Sequence, residues 1–318
     1  MPIQIVEGLP VIKKLEEERV YTIEKSRALT QDIRPLKILI LNLMPKKEET
    51  ELQLLRLLGN TPLQIDVDFM YTATHESVNT RMSYLQKYYV TLDEVKDRFF
   101  DGLIITGAPV EHLEFEDVDY IDELDQIMEW AQTHVYARMF VCWGAQYAIH
   151  YYYGINKVDL PAKFFGIFEY EKMIKTNTLL RGFDEFYRVP QSRHTRIDHE
   201  KLYEVEELDI LTRHPEYGPD IVATKDLRDL FVFGHLEYDR NTLNNEYIRD
   251  LERGDEIQIP ENYFPNDDPS QKPIFIWKSH AYILFNNWIN ETYQNTPYDL
   301  TEIKDISKPR NKPQRKKQ

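Results

Sequence analysis

The chain has 318 residues, 42% of them hydrophobic and 29% charged, enough apolar content for a sizeable core beneath a wet surface. A net charge of −15 sets a field that repels nucleic acid and anionic lipid, so any polyanionic ligand must be held by local cations and backbone amides. One cysteine permits no intramolecular disulfide, MPIQIVEGLP lacks the form of a secretory signal, and no run approaches the roughly 18 apolar residues of a membrane helix, so a cytoplasmic protein without a membrane partner is expected.

Residues 36–43 (LKILILNL) form a continuous apolar run, the pattern of a strand buried on both faces. After Pro45, KKEETELQLLRLLGN reads as a helix with acidic residues in its first turns and Gly59-Asn60 at its close. LQIDVDFM (63–70) alternates as a strand does, and FDGLIITG (100–107) is a second buried run. The spacing of Tyr120, Leu124, Ile127, Met128 and Ala131 predicts a helix over 117–134. ARMFVC (137–142) then reads as a strand that runs straight into a helix, GAQYAIHYYYG (144–154), closed by Gly154. This alternation predicts an α/β fold, a mostly parallel sheet flanked by helices.

The second half is less regular, with short strands expected near 163–170, 208–212, 220–224, 230–235 and 273–277 and helices near 242–252 and 279–293. There is no internal repeat and no Gly/Ser linker. A single α/β domain with insertions is therefore expected over 1–300, followed by a basic, disordered tail over 301–318.

Cys142 stands at the join between RMFV and WGAQYAIHYYYG. A strand entering a helix this abruptly makes a nucleophile elbow, which raises a side chain above the carboxyl edge of the sheet. Gly144 gives the turn room, the amides of Trp143 and Gly144 can face an oxyanion, and a helix N-terminus favours a thiolate. The plainer alternative is a small apolar residue filling a core.

Late in the chain, LFVFGHLEYD (230–239) delivers His235 with Glu237 two positions on, which face the same way in an extended segment. Glu237 can then orient an imidazole that takes the thiol proton. An isolated His-x-Glu reads more simply as a core hydrogen bond beside a solvated carboxylate; next to an elbow cysteine the triad is the better reading. The Gly-Ala-Pro turn of IITGAP (104–109) supplies a wall for an acyl pocket. His194, His199 and His214 show no metal-ligand spacing, and neither a Walker A loop nor G-x-G-x-x-G is present, so no metal and no cofactor are expected.

Cys-Trp-Gly after a strand with a late His-x-Glu resembles the class I glutamine amidotransferase-like (flavodoxin-like) fold. Phe140 stands where the glutaminase elbow G-x-C-x-G has its first glycine, and only Gly144 agrees with that pattern. A closer resemblance runs through NLMPKKEETE (42–51), ITGAPVE (105–111), CWGAQ (142–146), KFFGIFEY (163–170) and HLEYDRNTLNNEYIRD (235–250), in family order over about residues 1–300. These motifs resemble the homoserine O-acyltransferases of the MetA type.

That resemblance implies acyl transfer from an acyl-CoA to Cys142 and then to the hydroxyl of L-homoserine, a step of methionine biosynthesis, with His235 as general base held by Glu237. It implies homoserine-binding roles for Lys163, Ser192 and Arg249, and a homodimer. It also makes Glu111 the residue that separates acetyl from succinyl donors, glycine there accompanying succinyl transfer. A carboxylate at the end of the acyl pocket repels the distal carboxylate of succinyl-CoA, so acetyl-CoA is the expected co-substrate. The alternative for Glu111 is a cap on the FEDVDYIDEL region. Lys46 and Lys47 at a helix start are the cations available for CoA phosphate, or else they pair with the glutamates that follow. Competing readings are a succinyltransferase, a glutaminase supplying ammonia, and a non-catalytic binding or sensor protein on the same fold.

Overall fold

The computed structural model describes residues 3–17, 22–25, 34–75, 80–174 and 176–310. Strands β1 (Ile3–Ile5), β2 (Thr22–Glu24), β3 (Leu36–Leu41), β4 (Ile65–Met70), β5 (Tyr89–Val90), β6 (Phe100–Ile105) and β7 (Val135–Val141) pair in parallel. In β3 the apolar run is read out on two sides: Ile38 and Ile40 join one buried cluster, Leu39 and Leu41 the other. That is why the sequence does not alternate there.

The rest of the chain supplies β8 (Lys157–Lys172), β9 (Phe186–Ile197), β10 (Leu208–Ile210), β11 (Thr212–His214), β12 (Gly218–Pro219), β13 (Ile221–Thr224) and β14 (Asp229–Val232). Among the described residues the large sheet has the order β10-β13-β14-β7-β6-β3-β4-β1-β2, with β5 on β4. β14 lies parallel to β7, while β13 and β10 complete that edge antiparallel. A second, antiparallel sheet, β12-β11-β8-β9, is inserted after β7 and lies beside the carboxyl edge of the first.

Helices α1 (Lys47–Leu58) and α5 (Lys278–Asn295) cover one face of the sheet; α2 (Ile121–His134) and α3 (Trp143–Tyr153) cover the other, and α4 (Thr242–Arg253) packs near the second sheet. Gly102 in β6 lets α5 approach, since a β-carbon there would stand 2.7 Å from both Ile38 Cδ1 and Trp288 Cη2. Among the described residues no helix is long and apolar enough to cross a membrane.

Three expectations are corrected. The strand expected near 273–277 is absent: Ile274 donates one backbone bond to Tyr263, and no ladder forms around the buried Trp277. The strand expected near 208–212 is two, because the chain changes sheets at Leu211, whose amide bonds Ile221. The tail expected to be disordered from Thr301 is docked as far as Arg310, the remainder lying outside the described residues. Ile303 is buried, the Arg310 amide donates to Gln132, and the Arg310 guanidinium reaches the buried Asp229, which also pairs with Arg138.

Burial pushes the Asp229 carboxyl up, but the two guanidiniums outweigh it and hold the group at about 2. A folded value below the unfolded one makes this pairing fully stabilising above about pH 4, worth about 2 kcal/mol, and that share is lost as pH falls through 2. Arg310→Ala leaves a buried carboxylate with one cation and is expected to lower unfolding stability at neutral pH by about 2 kcal/mol. Urea unfolding measures it, and an unchanged midpoint would mean the tail is not docked.

Candidate active site

β7 enters α3 without a loop, and Cys142 absorbs the turn at φ 50° and ψ −116°, a conformation L residues avoid. Three contacts fix it there: the Cys142 amide donates to the Val232 carbonyl (2.8 Å), the Cys142 carbonyl accepts from Gln146 (3.0 Å), and Gly144 lies against the end of β6. A β-carbon at Gly144 would stand 2.6 Å from the Thr106 carbonyl oxygen, so only glycine allows the approach. The first amides of α3, those of Trp143 and Gly144 among them, have no acceptor within the helix.

β14 ends beside β7, and the chain beyond it brings His235 to Cys142. The two side chains stand together beneath Gly107, and the Glu237 carboxylate accepts from His235 Nδ1 at 2.7 Å. Burial pushes the His235 imidazole down, but the sulfur of Cys142 and the carboxylate of Glu237 outweigh it and hold the ring well above the ordinary histidine value. Gly107 of the Gly-Ala-Pro turn closes over both groups: a β-carbon there would lie 3.3 Å from Cys142 Cβ and 3.8 Å from His235 Cε1. The neighbouring loop is stitched to β6 by Leu43 N to Thr106 Oγ1 and within itself by Met44 N to Asn42 Oδ1.

These groups open into a cavity of about 390 Å3. It is lined by Met44, Pro45, Gly107, Ala108, Pro109, Glu111, Cys142, Lys163, Ser192, His235, Tyr238, Glu246, Arg249 and Asp250, among others. The structure thus brings Lys163, Ser192, Arg249 and Glu111 into one chamber with Cys142 and His235. Lys163 Nζ lies 2.9 Å from Asp250 and 3.6 Å from Glu246, and Arg249 meets Asp250 at 2.6 Å. Ser192 Oγ donates to Glu246 Oε2.

Glu111 does not cap the segment that follows it. Glu114 holds the cap position there, and the Glu111 carboxylate instead accepts from the His194 amide across the cavity. Burial pushes its carboxyl up, while the His194 amide and the charges of His235, Arg193 and Lys163 draw it back down.

The two lysines separate. Lys46 is exposed and lines a smaller cavity that shares Met44, Pro45, Tyr238, Glu246 and Arg249 with the larger one. Lys47 is turned inward: its ammonium donates to the Asn42 carbonyl, and burial pushes it down to about 8. Its charge therefore does not face a phosphate arriving from solvent, contrary to the sequence expectation.

Sequence reasoning missed Tyr238, Glu246 and Asp250. The last two are four apart in the helix expected there, so a shared face was readable, although its partner was not. It also missed β9, which carries Ser192 and His194, because FYRVPQSRHTRI looks like loop; its buried Gln191, Ser192 and Thr195 bond Asp220, Glu246 and Gln146, all distant in the chain. Among the described residues no three His, Cys, Asp or Glu side chains are grouped as metal ligands.

Comparison with known proteins bears on the fold and the family. A glutamine amidotransferase structure from Thermotoga maritima superposes with a TM-score of 0.56 at 12% identity, over 83% of this chain and all of that one. At that identity the likeness shows the fold alone. Homoserine O-acetyltransferases from Thermotoga petrophila (52% identical over 304 residues, 95% of this chain and 100% of that one) and from Streptococcus pneumoniae strain Taiwan19F-14 (49% over 306, 96% and 98%) match almost end to end. The family model for homoserine O-succinyltransferase matches residues 2–298, and the chain belongs to that family.

Proposed function

We propose that this protein is a homoserine O-acetyltransferase that carries the acetyl group of acetyl-CoA on Cys142. The observation that carries the reading is that Cys142 and His235, the latter bonded to Glu237, line one chamber with Lys163, Ser192, Arg249 and Glu111.

The Cys142 thiolate attacks the thioester carbonyl, and the amides of Trp143 and Gly144 receive the oxyanion. The tetrahedral adduct collapses, and CoA leaves as a thiol with the proton of the His235 imidazolium. The neutral imidazole then takes the proton of the homoserine hydroxyl as that oxygen attacks the enzyme thioester. Collapse of the second adduct releases O-acetyl-L-homoserine and restores the thiolate–imidazolium pair. Glu237 keeps the ring in one tautomer through both halves.

Arg249 and Lys163 offer cations for the amino acid's carboxylate, and Ser192 offers a hydroxyl beside them. Lys46 lines the adjoining cavity, 3.7 Å from Glu49, and is the cation this reading assigns to CoA phosphate. Glu111 supports acetyl over succinyl because its buried carboxyl lines the same cavity as Cys142, and a carboxylate there would repel the distal carboxylate of a succinyl group. The single cysteine supports a cytoplasmic, reducing location, and the family resemblance supports a homodimer.

A relay through one enzyme group predicts parallel double-reciprocal lines when acetyl-CoA and L-homoserine are varied against each other. Intersecting lines would mean direct transfer in a ternary complex. Cys142→Ala is expected to lower kcat by about 10^4-fold or more, and His235→Ala by about 10^2- to 10^4-fold. For the donor, Glu111→Gly is expected to raise kcat/KM for succinyl-CoA at least tenfold relative to acetyl-CoA, a change of about 1.4 kcal/mol in discrimination. A variant with an unchanged donor ratio would remove Glu111 from the specificity argument.

A further inference from the structure

Tyr238 is buried against the catalytic imidazole, and nothing in the relay described above uses it. Its ring lies face to face with that of His235, centroids 4.0 Å apart and planes 17° from parallel. Its hydroxyl donates to Glu246 Oε1 at 2.9 Å, its carbonyl accepts from the Trp277 indole, and its amide bonds back to the His235 carbonyl. The backbone of Tyr238 is thus held at both its amide and its carbonyl, and its ring cannot leave the face of the imidazole without breaking the hydroxyl's bond to Glu246 on α4.

An aromatic face attracts a cation stacked on it, and the attraction is strongest where water is excluded. We propose that Tyr238 is a positioning residue: its ring stabilises the imidazolium form of His235, and its hydroxyl, through Glu246, fixes that ring relative to the Ser192–Lys163 side of the chamber. Glu246 fits this second part because one carboxylate accepts from both Tyr238 and Ser192 and lies 3.6 Å from Lys163. The inference rests on the acyl-relay reading above.

The groups that bear on His235 come from four elements. Cys142 faces it from the elbow, Glu237 and Tyr238 from its own segment, Glu111 from the loop after β6, and Glu246 acts through the Tyr238 hydroxyl from α4. Of these, Tyr238 is the neutral group that covers the ring's face.

The test is the pH dependence of Cys142 alkylation by iodoacetamide, with steady-state kinetics on the same samples. In Tyr238→Leu the ring is gone and the imidazolium loses its support. The inflection at which the imidazolium gives up its proton is expected to move down by about one pH unit, while the one at which the thiol ionises beside it stays in place. Tyr238→Phe keeps the ring and loses the hydroxyl. Its alkylation profile is expected to match the wild type, while KM for L-homoserine rises about tenfold with the acetyl-CoA half-reaction far less affected.

A Leu variant whose profile superposes on the wild type would overturn the ring's role. A Phe variant with an unaltered KM would overturn the hydroxyl's, and this variant suffices if Leu does not fold. Should the wild type itself show no reactive thiolate below pH 7, the relay reading fails before Tyr238 is in question.

Discussion

Everything chemical in this molecule depends on one backbone angle. A non-glycine residue at φ 50° and ψ −116° costs about 1–3 kcal/mol and persists only where its surroundings over-determine it. Here they do so through parallel strands on both sides of β7. β14 supplies the carbonyl that holds the Cys142 amide, and the end of β6 supplies the surface on which Gly144 rests. The same two neighbours deliver His235 and the Gly-Ala-Pro turn. Strand order therefore sets the elbow and assembles its partners in one step, at the carboxyl edge where open α/β sheets place ligands.

The chamber above the elbow is dense in charge, and its charges are shared. Asp250 answers both Lys163 and Arg249, while Glu246 answers Ser192 and Tyr238 with Lys163 nearby. Ions held so close in a partly buried space are pre-positioned, so on the proposed reading an entering amino acid would exchange partners that already exist, with little to reorganise. The second sheet makes this possible. β9 is polar along its length yet largely buried, because Gln191, Ser192 and Thr195 find partners in Asp220, Glu246 and Gln146.

What was legible in the sequence follows from what each signal encodes. The parallel core was readable because strands buried on both faces must be continuously apolar, as LKILIL is, and because α2 repeats its apolar face at helical spacing. Cys142, His235 and Glu237 were readable from a strand–helix join and an i, i+2 pair. β9 was not, since its stabilising contacts are polar and lie far away in the chain. Lys47 was misread for a related reason: a lysine at a helix start looks exposed until the fold turns its ammonium onto Asn42. The tail was misread because Arg310 is anchored by a buried carboxylate 81 residues earlier, a partner that local composition does not reveal.

The central claim is that the acyl group rests on Cys142 between two half-reactions. The most direct measurement is the intact mass of the protein after incubation with acetyl-CoA in the absence of L-homoserine, followed by peptide mapping and a chase with L-homoserine. The account predicts one acetyl group, on the peptide containing Cys142, discharged by the chase. A folded enzyme that turns over with both substrates yet never gains that mass, or gains it on another residue, would contradict it.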